Sequence, residues 1–192
     1  MKKFIWIGLL GIIVIWAFTG YNGLVSAEEK VNGQWANVET AYQRRADLIP
    51  NLVETVKGYA DFERGVLVDV VEARSKATSI QLDADNLTPE QLQQFEAAQG
   101  QLSGALSRLL VTIERYPDLK ANQNFLALQS QLEGTENRIQ TERNRFNEMA
   151  RKYNTSIRKA PRNILANLFG FERKAYFEST EGADVAPDVS FD

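Results

Sequence analysis

Residues 24–59 read LVSAEEKVNGQWANVETAYQRRADLIPNLVETVKGY. Within them Leu24, Glu28, Val31, Trp35, Val38, Tyr42, Arg45, Ile49, Leu52, Val56 and Tyr59 follow one another at alternating gaps of four and three residues. That spacing lays all of them along one stripe of an α-helix. Only Glu28 and Arg45 in the stripe carry charge. A stripe this apolar needs cover, so later helices must pack over it.

Upstream of the stripe, Lys2 and Lys3 precede an uncharged run of 22 residues, Phe4 to Val25. That is about the length needed to cross a bilayer as a helix. A cleaved signal peptide is the rival reading, because Val25-Ser26-Ala27 resembles a small-residue cleavage site. Retention is preferred, since the stripe begins at Leu24 as though the helix leaves the membrane and continues. Positive charge before the span favours a cytoplasmic N-terminus and an extracytoplasmic body. The opposite insertion stays open.

Downstream, the first helix outside the membrane is expected over residues 27–57 with Pro50 inside it, where proline costs a backbone hydrogen bond. Gly58 then fits a left-handed stop. Asp61 would cap a second helix, Phe62 to Ile80, with Phe62, Val66, Val70, Ala73, Ala77 and Ile80 inward. The alternative is one continuous helix over 27–80. Thr88-Pro89-Glu90-Gln91 carries the signature of a helix start, with Thr as cap and Gln three residues on. The third helix should run to Tyr116 before Pro117, along Leu92, Phe95, Gln99, Leu102, Leu106, Leu109, Ile113 and Tyr116. Glu96 falls on its outer face. Asn122 would cap a fourth helix to Arg158, along Phe125, Leu128, Leu132, Thr135, Ile139, Glu142, Phe146, Met149, Tyr153 and Ile157. A short helix, Arg162 to Phe169, ends at Gly170.

The fold class is therefore all-α: an N-terminal transmembrane helix followed by an antiparallel up-and-down bundle. Four long helices are favoured, three if the first is continuous. The expected domains are an anchor at 1–25, a bundle at 26–160, a short helix with aromatics at 161–178, and an acidic flexible tail at 179–192.

The chain has no Cys and no His. Disulfides, thiolate chemistry and the commonest general base and metal ligand are thereby removed. A net charge of −3 gives no general attraction to nucleic acid. No Walker loop, GxGxxG or GxSxG occurs. Glu133 and Glu136 stand three apart, but di-iron bundles place a His three residues after a Glu. A solvated helix face is the better reading. No catalytic, cofactor-binding or metal-ligating residue is assigned.

Arg45 is more telling, because a buried guanidinium is costly unless paired. Mid-helix one should lie opposite mid-helix four, so a structural ion pair with Glu133 or Glu136 is expected; outward snorkelling is the alternative. Arg138 to Arg162 carries eight basic and two acidic residues. In a four-helix path this basic end returns to the membrane side. Arg158, Lys159 and Arg162, with Leu168, Phe169 and Phe171, then make a candidate membrane or partner contact. The rival is that Leu168, Phe169 and Phe171 simply cap the open end of the bundle.

Several stretches together resemble the bacterial LemA family. They are Tyr21-Asn22-Gly23-Leu24-Val25, Trp35, the run Tyr42 to Val53 (YQRRADLIPNLV), and Val56-Lys57-Gly58-Tyr59. The likeness continues through Tyr116 to Asn122 (YPDLKAN), Phe125, Glu133 to Ile139 (EGTENRI), Arg151-Lys152-Tyr153-Asn154, Leu168-Phe169-Gly170-Phe171 and Tyr176-Phe177. The match spans roughly residues 20 to 178. The resemblance implies a membrane anchor and an antiparallel helical bundle, and supplies no catalytic residues. The functional expectation is a membrane-anchored scaffold or adaptor that contacts membrane lipids and an unidentified protein partner at the bacterial inner membrane. The alternative is a membrane-bound enzyme working through carboxylates or a Ser-Lys pair.

Overall fold

A computed structural model describes residues 2–59 and 63–178. Six helices run through them: α1 (Lys2–Lys57), α2 (Arg64–Ser79), α3 (Pro89–Ile113), α4 (Pro117–Lys120), α5 (Gln123–Arg158) and α6 (Arg162–Phe169). Among the described residues there is no strand. The class is all-α, built as an antiparallel helical bundle on one long apolar N-terminal helix.

α1 is a single helix of 56 residues, about 84 Å long at 1.5 Å per residue. The apolar run and the first stripe are thus one rigid element, with no break between 25 and 27. α5, with 36 residues, is about 54 Å long. It runs antiparallel along α1, from Asn122 beside Tyr59 at the far end to Arg162 beside Gly23. α2 and α3 form a second antiparallel pair that covers the outer half of α1.

The first stripe is inward: Leu24, Val31, Trp35, Val38, Tyr42, Arg45, Ile49, Leu52 and Val56 are buried. So are Leu92, Phe95, Gln99, Leu102, Leu106, Leu109 and Ile113 on α3, and Phe125, Leu132, Thr135, Ile139, Glu142, Phe146, Tyr153 and Ile157 on α5. α2 is turned slightly from the expected face: Leu67 joins Val70 and Ala77 in the core while Val66 and Ala73 are half-buried.

Pro50 lies inside α1. It has no N–H for the carbonyl of Ala46, one turn back. Arg74 of α2 supplies the missing donor, its Nε reaching Ala46 O at 2.8 Å. A defect in one helix thereby becomes a tie to the next.

The helix ends follow local chemistry. Thr88 and Gln91 form a reciprocal capping box, and Asn122 Oδ1 accepts from the N–H groups of Asn124 and Phe125. Gly170, at φ 75°, closes α6 in the left-handed region that glycine tolerates. Gly58 does not: among the described residues Gly170 is the one glycine with positive φ. α1 instead ends in a tight turn in which Tyr59 N–H donates to Val56 O at 3.0 Å. α3 stops at Ile113, one turn before Tyr116, and Pro117 opens the short α4. The expected cap Asp61, its neighbour Phe62 and the acidic tail lie outside the described residues.

Candidate functional site

The core is two apolar lobes with a polar layer between them. One lobe surrounds Trp35, Tyr42, Phe95, Phe146 and Tyr153; the other surrounds Ile49, Leu52, Leu102, Leu109 and Phe125. Arg45, only 2% exposed, sits between them. Its Nη1 donates to Glu136 Oε2 at 2.7 Å and Ser103 Oγ at 2.9 Å, and its Nη2 to Gln99 Oε1 at 2.7 Å. Gln99 Nε2 in turn donates to Ala77 O at 3.2 Å. One guanidinium therefore joins α1, α3 and α5, and through Gln99 reaches α2. Glu133 is not part of this layer; it is exposed, and its Oε1 accepts from Gln129 at 3.1 Å.

Two further polar sites lie nearer the apolar end. Glu142 is buried on the α1–α5 seam, where it accepts from Gln34 Nε2 at 2.7 Å, Arg138 Nε at 2.7 Å and Arg145 Nη1 at 3.1 Å. Lys174 is also buried; its ammonium reaches Glu28 Oε1 at 3.0 Å and Asp85 O at 2.8 Å. Burial, and then the Glu28 carboxylate beside it, push the Tyr153 hydroxyl well above its usual range. Glu96 is half-buried rather than outward and is paired with Arg143. Desolvation there raises its carboxyl, and Arg143 opposes the shift.

Residues 171–178 form an extended strap along α5. Asn154 donates to Lys174 O at 2.8 Å and accepts from Lys174 N–H at 2.9 Å. Asn147 treats Phe177 in the same way, at 2.8 and 2.9 Å. The spacings agree: seven residues of helix rise about 10.5 Å, and three of extended chain rise about 10 Å. Phe177 is thereby delivered into the core, stacked on Trp35 at 5.8 Å with the Arg143 guanidinium 4.6 Å from its ring centre. The sequence reading missed this clamp, because an extended segment has no helical period and an Asn on a helix reads as solvated. The heptad spacing of the two asparagines is the signal that was there.

The candidate contact residues gather at the end where α1 becomes bare. Leu165 Cδ1 packs so closely on Gly20 that a Cβ there would sit 2.6 Å from it. Phe169 and Phe171 meet the Tyr21 ring edge-on at 4.8 and 5.8 Å. Ile164, Leu168 and Phe169 keep outward faces, with Leu168 72% exposed. Arg158, Lys159 and Arg162 are exposed at the α5–α6 turn. Phe171 is half-buried against the core, Phe169 covers Tyr21 with one edge while staying largely exposed, and Leu168 is the most exposed of the three. Beyond this collar, Phe4 to Ile15 are exposed around the whole helix. α1 is the one helix among the described residues long and apolar enough to cross a membrane.

The profile described as the LemA family matches residues 34–191. Magnetosome protein MamQ 2 of Paramagnetospirillum magneticum is 28% identical over 185 residues, covering 85% of this chain and 66% of its own length. MamQ of Magnetospirillum gryphiswaldense shows the same 28% identity and coverage. The chain thus spans just under two thirds of these magnetosome relatives. Protein LemA of Metamycoplasma hominis is 25% identical over 170 residues, covering 88% of this chain and 74% of its own.

Proposed function

The chain belongs to the LemA family, and from that premise we propose that it is a membrane-anchored helical scaffold or adaptor that mediates protein–protein and membrane-surface contacts without catalysis. The observation that carries this reading is α1. One unbroken helix runs from the bare apolar stretch into the centre of the bundle. Whatever holds the stretch holds the body at a fixed angle and distance.

The anchor is a single pass of the bacterial inner membrane, with the body extracytoplasmic under the positive-inside tendency. The apolar run Phe4 to Phe18, of which Trp16 and Ala17 are half-buried against the bundle, has 15 residues, about 22 Å of helix. The hydrocarbon core is about 30 Å thick. The shortfall of roughly 8 Å matches the depth at which amphipathic helices lie in the interface, about 5–10 Å. The α6 collar fills it, with Leu168 and Phe169 toward the acyl chains and Arg158, Lys159 and Arg162 toward anionic headgroups.

Interior polar groups are used within the fold. Arg45, Glu142, Asn154 and Lys174 each bond neighbouring helices, loop or strap. Ser103 Oγ accepts from Arg45 Nη1 at 2.9 Å. At the opposite end from the collar, Val68, Val111 and Leu126 are exposed, Val111 by 72%. That end is the surface offered to a protein partner. The test is photo-crosslinking in intact cells from residue 111 or 126 of the full chain. The reading predicts one recurrent protein adduct, lost on Val68→Glu. Adducts no different from those formed at Glu29 would count against it.

A further inference from the structure

A cleft of about 570 Å³ opens between Trp16 of α1 and the α5–α6 turn. Its walls carry Arg151, Lys152, Lys159 and Arg162, and no carboxylate. Lys152 is held by Glu148. Arg151 and Lys159 form no ion pair among the described residues, and Arg162 is steered by a bond from Nη1 to Ser156 Oγ at 3.1 Å. Glu148 beside Lys152 and Arg151 offsets only part of this charge, and the remaining like charges repel. The arrangement is built for an anion.

The place of the cleft selects the anion. Its inner end is the half-buried Trp16 indole with Ala160 and Pro161, at the level where bare α1 meets the bundle. α5 runs antiparallel to α1, so Arg151 and Lys152 stand farther out than Arg162. The cleft is apolar toward the bare helix and cationic toward the body. A glycerophospholipid has the same gradient, acyl chains below and phosphate above. We propose that this cleft seats one anionic phospholipid, its phosphate among Arg151, Lys159 and Arg162 and its glycerol and chains along Trp16. This deepens the proposed membrane contact and rests on α1 spanning the bilayer. It adds a defined lipid site, where a diffuse basic surface would have none. Phosphate oxygens accept charge-assisted hydrogen bonds from Arg and Lys in this way.

The test uses the full chain in neutral detergent, with bound lipid counted by native mass spectrometry. Phosphatidylglycerol and phosphatidylcholine of the same chain length are offered separately and in competition. The site predicts one retained phosphatidylglycerol per chain, in preference to phosphatidylcholine. Arg151→Gln/Lys159→Gln should reduce that preference roughly 10-fold or more. Arg115→Gln/Lys57→Gln, at the opposite end, should leave it unchanged. Equal retention of the two lipids, or an unchanged preference in the Arg151/Lys159 variant, overturns the proposal. So does displacement of the lipid by millimolar inorganic phosphate, which would make this a site for a free anion. Carbonate-resistant retention in vesicles is read in parallel. A chain that stays in the vesicles but shows no preference loses the lipid site and keeps the anchor, whereas a chain that washes off loses both.

Discussion

Arg45 shows how a single residue sets the register of the molecule. It interrupts an otherwise apolar stripe, and the stripe places it inward, where a guanidinium needs partners. The structure gives it Glu136, Ser103 and Gln99 from two other helices. A slip of α5 by one turn in one direction would replace Glu136 with Ile139 or Gln140 and strand the charge, whereas the opposite slip brings up Leu132 or Glu133. A double-mutant cycle of Arg45→Met with Glu136→Ala should therefore show coupling of about 1–2 kcal/mol, reduced from the full range for a contacting pair because Glu136 is half-exposed. The same cycle with Glu133→Ala should be additive. Additivity in both cycles, measured by denaturant unfolding of the detergent-solubilised chain, would show that Arg45 does not fix register. The inward position of Arg45 was legible from spacing alone. The choice of Glu136 over Glu133 was not, since the two differ by about 60° around the helix and only the packing angle of α5 decides between them. Gln99 and Glu142 were legible as stripe members, yet nothing in their spacing said which donors would meet them. The tie from Arg74 to Ala46 was half-visible: Pro50 announces an orphan carbonyl one turn back without naming the residue that fills it.

At the scale of elements, the long helices were readable because each carries its own period over many turns. Caps were readable where they rest on side chains, at Thr88 and Asn122. The stop after Lys57 was placed correctly in sequence but for another reason, since Gly58 is not left-handed. The strap was not readable, because its order comes from α5 rather than from itself. Asn147 and Asn154 each satisfy both backbone groups of an extended residue, so neither can be removed without leaving a donor and an acceptor unmet. Asn154→Ala should cost about 1–3 kcal/mol, the range for stranding buried polar groups. Its sharper signature is faster hydrogen exchange at Lys174 and Phe177 with α2 and α3 unaffected, because the strap is the element released. Unchanged protection at Lys174 would mean that Phe177 packing alone holds the strap.

At the scale of the whole molecule, one long helix sets the geometry. α1 spans from the bare stretch to the far end of the bundle, α5 braces it over most of its length, and the strap and α6 close the end next to the bare stretch. The shortfall of about 8 Å between the apolar run and the bilayer core follows from residue count, but the element that fills it is seen only when α6 is found packed on Gly20 and Tyr21. That shortfall carries the central claim, that the collar is seated in the membrane interface rather than held above it. The chain has no Cys, so single cysteines can be introduced for spin labels without a background. The decisive measurement is collisional accessibility of labels at Leu168→Cys and Val111→Cys in the full chain reconstituted in anionic nanodiscs. Both positions are 72% exposed, so protein cover does not distinguish them. The account predicts that the label at 168 meets oxygen and is shielded from an aqueous nickel complex, while the label at 111 shows the reverse. Equal access of the nickel complex to both would contradict it.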